Sequence, residues 1–265
     1  MEQINVIKVG GGVVEDVASL QRLLDTFAAM PGKKVLVHGG GRSATKMAAQ
    51  LGIESTMIGG RRVTDAKMLN VVTMVYGGLV NKNVVACLQA RGVNALGLTG
   101  ADVNLIRSHK RPLKKVEMPD GTSQMVDFGF VGDVEKADGN ILSKLLAQDI
   151  VPVVAPLTHD GNGNLLNTNA DTIASEVACS LTPYFNVTLT YCFEKPGVLR
   201  DGDNDASVIP HITEADFKNL TAQGIVSGGM IPKLENAFQA IGRGVKRVVI
   251  THADHPDGEG GTTIE

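Results

Sequence analysis

The chain has 265 residues, 43% hydrophobic and 20% charged, which excludes a disordered chain and suffices for one large α/β domain or two lobes around a sizeable core. Lys and Arg number 25 against 28 Asp and Glu, a net charge of −3, so the basic footprint that grips a nucleic-acid backbone is missing and small molecules are the expected partners. Cys87, Cys179 and Cys192 lack C-x-x-C spacing, the N-terminus shows no basic or apolar leader region, and no apolar run approaches the ~20 residues of a membrane span, so a reduced, cytoplasmic protein without disulfides, zinc site or membrane contact is expected.

Glycine is the outlier, 31 residues or about 12% against a usual ~7%, and it is clustered. Residues 4–9 read as a short buried strand ending in Gly10-Gly11-Gly12, and Val17, Leu20, Leu24 and Phe27 recur at helical spacing behind Asp16. The unit repeats: 34–37 is apolar, His38-Gly39-Gly40-Gly41 follows, and 42–51 is helix-like. A long helical pattern over 65–90, interrupted at Gly77-Gly78, leads to a strand at 93–98 that closes in Thr99-Gly100-Ala101-Asp102. Short alternating runs over 104–134, around Asp120-Gly121, predict a small antiparallel excursion.

Regularity returns with a helix at 141–147, a strand at 150–155 and a polar turn at 160–164 that is a second hairpin candidate. Asn167-Thr168-Asn169-Ala170-Asp171 then opens a helix to residue 181. A strand at 187–192, a loop at Pro196-Gly197, a helix at 213–222, a loop at Ser227-Gly228-Gly229, a helix at 232–241 and a strand at 247–251 complete the order. Strands alternating with helices imply an α/β fold around an open, mainly parallel sheet, and no Pro- or Ser-rich linker cuts it into independent domains.

Successive backbone N–H groups reach an anion only where side chains are out of the way, and helix N-termini add positive potential there. Both glycine triplets meet that requirement, and parallel strand ends open onto one edge of the sheet. Taken singly, each triplet is equally a tight strand-to-helix turn. No G-x-x-x-x-G-K-[ST] is present; Gly39-x-Gly41-x-x-Ala44 satisfies a relaxed dinucleotide fingerprint, but the acid expected ~20 residues on is missing, since the next strand runs into Ile58-Gly59-Gly60.

Lys8, at the end of an apolar strand, needs an anionic partner unless it snorkels at an edge, because an unpaired buried charge is costly. Lys233 stands on the first turn of a helix after Ser227-Gly228-Gly229-Met230, where a cation is disfavoured; an ordinary solvated lysine is its bland reading. Asn167-Thr168-Asn169-Ala170-Asp171 fits a capped helix start, with Asp171 in the first turn able to pair with a lysine. Arg62 is suited to forking onto a carboxylate, although adjacent arginines such as Arg61-Arg62 are commonly just solvated.

Ile7-Lys8-Val9-Gly10-Gly11, His38-Gly39-Gly40-Gly41, Arg62-Val63-Thr64, Asn81-Lys82, Asn167-Thr168-Asn169-Ala170-Asp171 and Gly228-Gly229-Met230-Ile231-Pro232-Lys233 stand in the order seen in the amino acid kinase family, which the chain resembles over nearly its whole length. Leu98-Thr99-Gly100-Ala101-Asp102 and Gly129-Phe130-Val131-Gly132 extend the likeness. The resemblance implies an αβα sandwich with a small hairpin excursion. Residues 1–172 would form a lobe for the acylated amino acid and for dimerisation, and 173–265 a lobe for ATP, the two sharing one sheet.

It further implies ATP-dependent phosphorylation of the side-chain carboxylate of N-acetylglutamate, as a step of arginine biosynthesis. By likeness to the family, Lys8 and Lys233 reach the transferring phosphoryl group from either side, Asp171 holds both lysines, and Gly11 amides face that group. Gly40, Gly41, Arg62, Asn167 and Asn169 would surround the acylated amino acid. Glu194, Lys195, Pro196, Gly197, Val198, Leu199, Ile225, Val226 and Ser227 would surround ATP, with Mg²⁺ on its phosphates and no protein side chain on the metal. Phosphoryl transfer asks for charge stabilisation and in-line alignment, and a carboxylate nucleophile is already ionised at neutral pH, so no general base is required.

The chain departs from the family at Cys192-Phe193-Glu194-Lys195, where relatives carry an aspartate and a small apolar residue; Glu194 keeps the acid one methylene further out. The tail from His252 is shorter than is common, although Gly261-Thr262-Thr263-Ile264 resembles the family's closing strand. No helix precedes Ile4, and in this family such a helix accompanies arginine-inhibited hexamers, so an arginine-insensitive homodimer is expected. Acetyl against succinyl as the acyl group stays open. Another acidic acceptor, a non-catalytic amino-acid or nucleotide sensor, and a nicotinamide-dependent dehydrogenase are the alternatives.

Overall fold

The computed structural model describes residues 1–117 and 121–265. Gln3–Val9 forms β1; α1 (Gly11–Glu15) and α2 (Val17–Ala29) return the chain to β2 (Lys33–His38), and α3 (Gly41–Gln50) follows the second glycine loop. Asp16 caps α2 by accepting from Ser19 N at 2.7 Å. β3 (Met57–Ile58) and β4 (Arg61–Arg62) form a hairpin around Gly59 and Gly60, whose φ angles of 54° and 73° suit the two-residue turn that glycine favours. The stretch ending at Ile58 is therefore a separate hairpin and no part of the main sheet.

The 65–90 pattern is one continuous helix, Ala66–Gln89, made of α4 (Ala66–Val72), a π-helical stretch Thr73–Val80 and α5 (Asn81–Gln89). Gly77 and Gly78 fall inside the π-helical stretch, so they widen the helix and leave it unbroken. By length and composition alone this helix could cross a membrane. Its face of Met68, Val71, Val72, Val75 and Val84 is instead buried against the protein's own core.

β5 (Ala95–Leu98) precedes the antiparallel excursion: β6 (Ile106–Lys110), β7 (Lys114–Glu117), β8 (Ser123–Val126) and β9 (Gly132–Ala137). β7 and β8 pair antiparallel, as do β6 and β9. Asp120 of the expected turn lies outside the described residues. After α6 (Gly139–Ala147) come β10 (Val151–Val154) and the second expected hairpin, β11 (Leu157–His159) with β12 (Leu165–Asn167). The chain closes with α7 (Ala170–Leu181), β13 (Asn186–Phe193), β14 (His211–Ile212), α8 (Glu214–Ala222), α9 (Met230–Gly242), β15 (Arg247–His252) and β16 (Thr262–Ile264).

The main sheet has eight strands in the order β14-β16-β15-β13-β1-β2-β10-β5, parallel throughout except where β16 runs against β15. From β1 the chain proceeds to β2 on one side, and from β13 to β15 on the other. The connections thus diverge between β1 and β13, where an open α/β sheet presents a crevice at its strand C-termini.

Alternation decides which side chains enter that crevice. Ile4 and Val6 of β1, with Leu189 and Tyr191 of β13, belong to the core cluster that includes Ile173 of α7 and Leu234 of α9. Ile7 and Val9 point to the opposite face with Leu23, Leu24 and Phe27 of α2. Lys8 continues the series of Ile4 and Val6, and Phe193 that of Leu189 and Tyr191. Both therefore stand at the sheet's end on the face covered by α7 and α9.

Candidate active site

Lys8 is 6% exposed, and its Nζ lies 2.7 Å from Oδ1 of Asp171 in the first turn of α7, a contact of opposite charges. Its Nζ also stands 5.0 Å from the centre of the Phe193 ring, and Lys233 Nζ, from the first turn of α9, stands 3.4 Å from the same ring. Burial lowers the Lys233 pKa, Asp171 opposes that shift, and the like charge of Lys8 adds to it. Two ammonium groups therefore converge with one carboxylate beside them, leaving a surplus of positive charge. They line a cavity of about 470 Å³ together with Gly11, Gly12, Glu194 and Met230.

A second cavity of about 210 Å³ adjoins it, with Gly11 and Gly41 lining both. The two glycine loops abut so closely that a Cβ on Gly39 would lie 2.9 Å from Gly11 N, a separation real side chains do not adopt. His38 sets this geometry from beneath. Asn81 Nδ2 donates to His38 Nε2 (3.1 Å) and to Val153 O (3.0 Å), which leaves His38 Nδ1–H to donate to Gly39 O at 2.7 Å. Burial pushes the His38 pKa down to about 4, so the ring is neutral at physiological pH.

Arg62 lines the smaller cavity and is itself buried. Its Nη2 donates to Gly41 O and Thr45 Oγ1, both at 2.8 Å, while its Nη1 donates to Ser55 Oγ and contacts Met68 Sδ. All four terminal N–H groups are thus engaged, and a forked grip on a carboxylate requires one of these bonds to be exchanged. Asn167 lines the same cavity and donates from Nδ2 to Thr64 Oγ1 at 2.9 Å. Asn169 is the N-cap of α7, its Oδ1 accepting from Asp171 N and Thr172 N, so the capped-helix reading holds for that residue while it also lines the cavity. Gly40 and Gly41 open α3 at the cavity wall.

Of the residues expected around ATP, Glu194, Lys195 and Gly197 line the larger cavity. Val198 and Val226 are core side chains, 2% exposed each, and Leu199 is held in a bridge to Val208. Pro196, Ile225 and Ser227 neighbour these segments without lining that cavity. Phe193, Arg42 and Met230 line it and were not singled out from the sequence. Arg42 Nη1 reaches Glu194 Oε1 at 3.2 Å, linking the first turn of α3 to the end of β13. In the smaller cavity Arg61, Tyr76 and Arg111 were likewise unforeseen. Arg61 and Tyr76 were legible in principle as neighbours of flagged motifs, but nothing near Arg111 in the chain marks it. Among the described residues no group of three or more His, Cys, Asp or Glu side chains could hold a metal ion.

Fold and site together define a phosphate-handling enzyme of the doubly wound α/β type. The chain belongs to the amino acid kinase family, whose model matches residues 3–252. It is 64% identical over 264 residues to the acetylglutamate kinase of Bacteroides thetaiotaomicron, covering 100% of this chain and 99% of that relative. It is 63% identical to the acetylglutamate kinase of Bacteroides fragilis over the same length, covering 97% of that protein. Among solved structures, smu.665 from Streptococcus mutans UA159 superposes with a TM-score of 0.77 at 26% identity, covering 98% of both chains.

Proposed function

We propose that this enzyme transfers the γ-phosphoryl group of ATP to the side-chain carboxylate of N-acetyl-L-glutamate, giving N-acetyl-L-glutamyl 5-phosphate and ADP, a step of arginine biosynthesis. Relatives named acetylglutamate kinase at above 60% identity over the whole chain support it. The observation that carries the chemistry is the convergence of Lys8 and Lys233 on one aromatic ring, with Asp171 against Lys8, in a cavity that abuts a second, arginine-lined one.

In this reading a carboxylate oxygen attacks the γ-phosphorus, the bond to the β,γ-bridging oxygen breaks, and ADP leaves with the electron pair. Lys8 and Lys233 neutralise charge on the equatorial and leaving oxygens, and Asp171 orients the ammonium groups. Gly11 N–H approaches the transferring group. Gly40 and Gly41, with Arg62, Asn167 and Asn169, receive the acylated amino acid, and the segment from Glu194 to Leu199 with Ile225 to Ser227 borders the nucleotide. Mg²⁺ enters as part of the nucleotide substrate, bound to its phosphates. The lobes 1–172 and 173–265 divide acceptor from nucleotide, with β1 and β13 side by side at their junction. Intact Lys8, Asp171 and Lys233 speak against a non-catalytic sensor.

We assign the enzyme to the cytoplasm as an arginine-insensitive homodimer. Met74 and Leu79 on the long helix and Leu96 on the sheet's edge strand are exposed apolar side chains that a second copy would cover. Light scattering that returned a monomer or a hexamer would contradict this assembly. The reaction is tested by hydroxylamine trapping with Mg-ATP: hydroxamate from N-acetylglutamate with matching ADP release is expected. No hydroxamate from any N-acylglutamate, despite ATP binding, overturns the proposal.

A further inference from the structure

Asp171 holds only one of the two converging lysines directly. Its Oδ1 pairs with Lys8 Nζ at 2.7 Å, whereas the Lys233 ammonium forms no ion pair and no hydrogen bond among the described residues, and Asp171 acts on it only from beyond ion-pair distance. What Lys233 meets is the face of Phe193, with Nζ 3.4 Å from the ring centre, while Lys8 Nζ stands over the same ring at 5.0 Å. Both separations fall within the ~6 Å over which the negative face of an aromatic ring attracts a cation, and the attraction is stronger where burial removes water. Lys233 is half-buried.

The ring itself is anchored. Phe193 ends β13, opposite His252 in the sheet register, and its carbonyl accepts from Ala253 N at 2.9 Å. Its ring stacks on that of buried Tyr191, with centres 6.2 Å apart and planes 15° from parallel. Tyr191 Oη in turn donates to the backbone carbonyl of Asp171 at 3.4 Å. The platform beneath the lysines is thus tied to the residue that pairs with Lys8. A second carboxylate under Lys233 would hold it as firmly but would cancel positive charge that a transferring phosphoryl group requires. An uncharged ring holds an ammonium from one side and leaves the N–H groups on the other side to phosphate oxygens.

We infer that Phe193 is a positioning residue for phosphoryl transfer: its ring face holds the Lys233 ammonium in the larger cavity, as Asp171 holds that of Lys8, without reducing the positive charge offered to the nucleotide's phosphates. The inference rests on the reading of this cavity as the phosphoryl-transfer site. A purely structural Phe193 would be replaceable by another apolar side chain of similar bulk. Ring electrostatics separate the two roles, because fluorine drains the negative potential from the ring face while nearly preserving its shape.

The test measures kcat, KM and thermal melts with Mg-ATP and the N-acylglutamate that the wild type phosphorylates, in Phe193→Leu and in a series carrying increasingly fluorinated phenylalanines at position 193. Phe193→Leu should lower kcat about tenfold and leave the acceptor KM nearly unchanged, the pattern of a contact that matters in the transition state. Along the fluorinated series kcat should fall stepwise while the melting temperature holds. A kcat independent of fluorination, or a leucine variant as fast as the wild type, overturns the inference; the fluorinated series decides it if Phe193→Leu fails to fold. A second readout is independent of turnover. The Hε NMR signals of Lys233, identified by their loss in Lys233→Arg, should lie upfield of an ordinary lysine in the wild type and return toward the ordinary position in Phe193→Leu. An ordinary position in the wild type also overturns the inference. A wild type that makes no acyl phosphate from any N-acylglutamate, while keeping the upfield Lys233 signals, refutes the kinase reading instead of the contact.

Discussion

The two cavities that meet at Gly11 and Gly41 handle charge with different side chains. The larger brings Lys8 and Lys233 together with Asp171 against Lys8, while Arg42 in its wall is paired with Glu194; the smaller has Arg61, Arg62 and Arg111, with Asp133 clamped to the last. An ammonium group is a compact point charge that can follow oxygens as they move, whereas a guanidinium holds a planar group in a fixed orientation. In the proposed reaction the phosphoryl group changes partners and the amino-acid carboxylates outside the reacting centre stay put. Lys8 and Lys233 therefore suit the part of the substrate pair that reacts, and the arginines of the smaller cavity the part that is only held.

Exchanging the two chemistries should break this division most severely. Lys8→Arg keeps the charge but puts a fork in place of the point charge, and we expect kcat to fall by about 10²- to 10³-fold with the melting temperature nearly preserved. Near wild-type turnover would remove Lys8 from the reaction. Asp171→Asn leaves two ammonium groups facing each other, and kcat should drop by about ten- to a hundredfold. Because the Asp171 charge raises the Lys233 pKa, its loss should also move the alkaline limb of the kcat profile to lower pH, a shift that a purely structural aspartate would not produce.

On the arginine side, Arg62→Ala should raise the KM for the acylated amino acid by about tenfold while sparing that for ATP, as expected for lost ground-state binding. A loss of ATP affinity instead would mean that the cavities are assigned the wrong way round. The smallest effect is on stability. His38 has its pKa depressed to about 4 from 6.5, so the unfolded chain takes up a proton where the folded one does not. Its contribution is intact above pH 6.5 and is lost as the pH falls toward 4, by about 3 kcal/mol in all. Thermal melts across that window should show His38→Gln losing less stability than the wild type; identical slopes would rule the ring out as the cause.

Much of the frame was readable from the chain because it is local. Strand 4–9 and the pattern Val17, Leu20, Leu24 and Phe27 declare their periods directly, and Thr213 and Asp216 form the capping box that starts α8. The 65–90 helix was misread at Gly77-Gly78 because neighbouring packing overrides the weak helix propensity of glycine. Lys8 and Lys34 show the limit for single residues. Both are buried lysines on apolar strands, yet Lys34 Nζ donates to the carbonyls of Phe27, Ala28 and Met30 and simply finishes α2, while Lys8 faces a carboxylate in a cavity. Their difference lies in which end of the strand each occupies.

Sequence by itself determined the alternation of strands and helices and the two glycine loops, and it singled out Lys8, Asp171 and Lys233 as candidates, because each is a short-range pattern or a matched motif. Only the tertiary structure decided that both lysines stand over the Phe193 ring, that Arg62 spends its terminal donors on Gly41, Thr45, Ser55 and Met68, and that Arg111 joins the cavity with one donor unused. Those facts depend on strand order and on the stacking of a small antiparallel sheet beside the main one. Residues far apart in the chain become neighbours only when whole elements pack, and no local periodicity encodes which side chain then meets which.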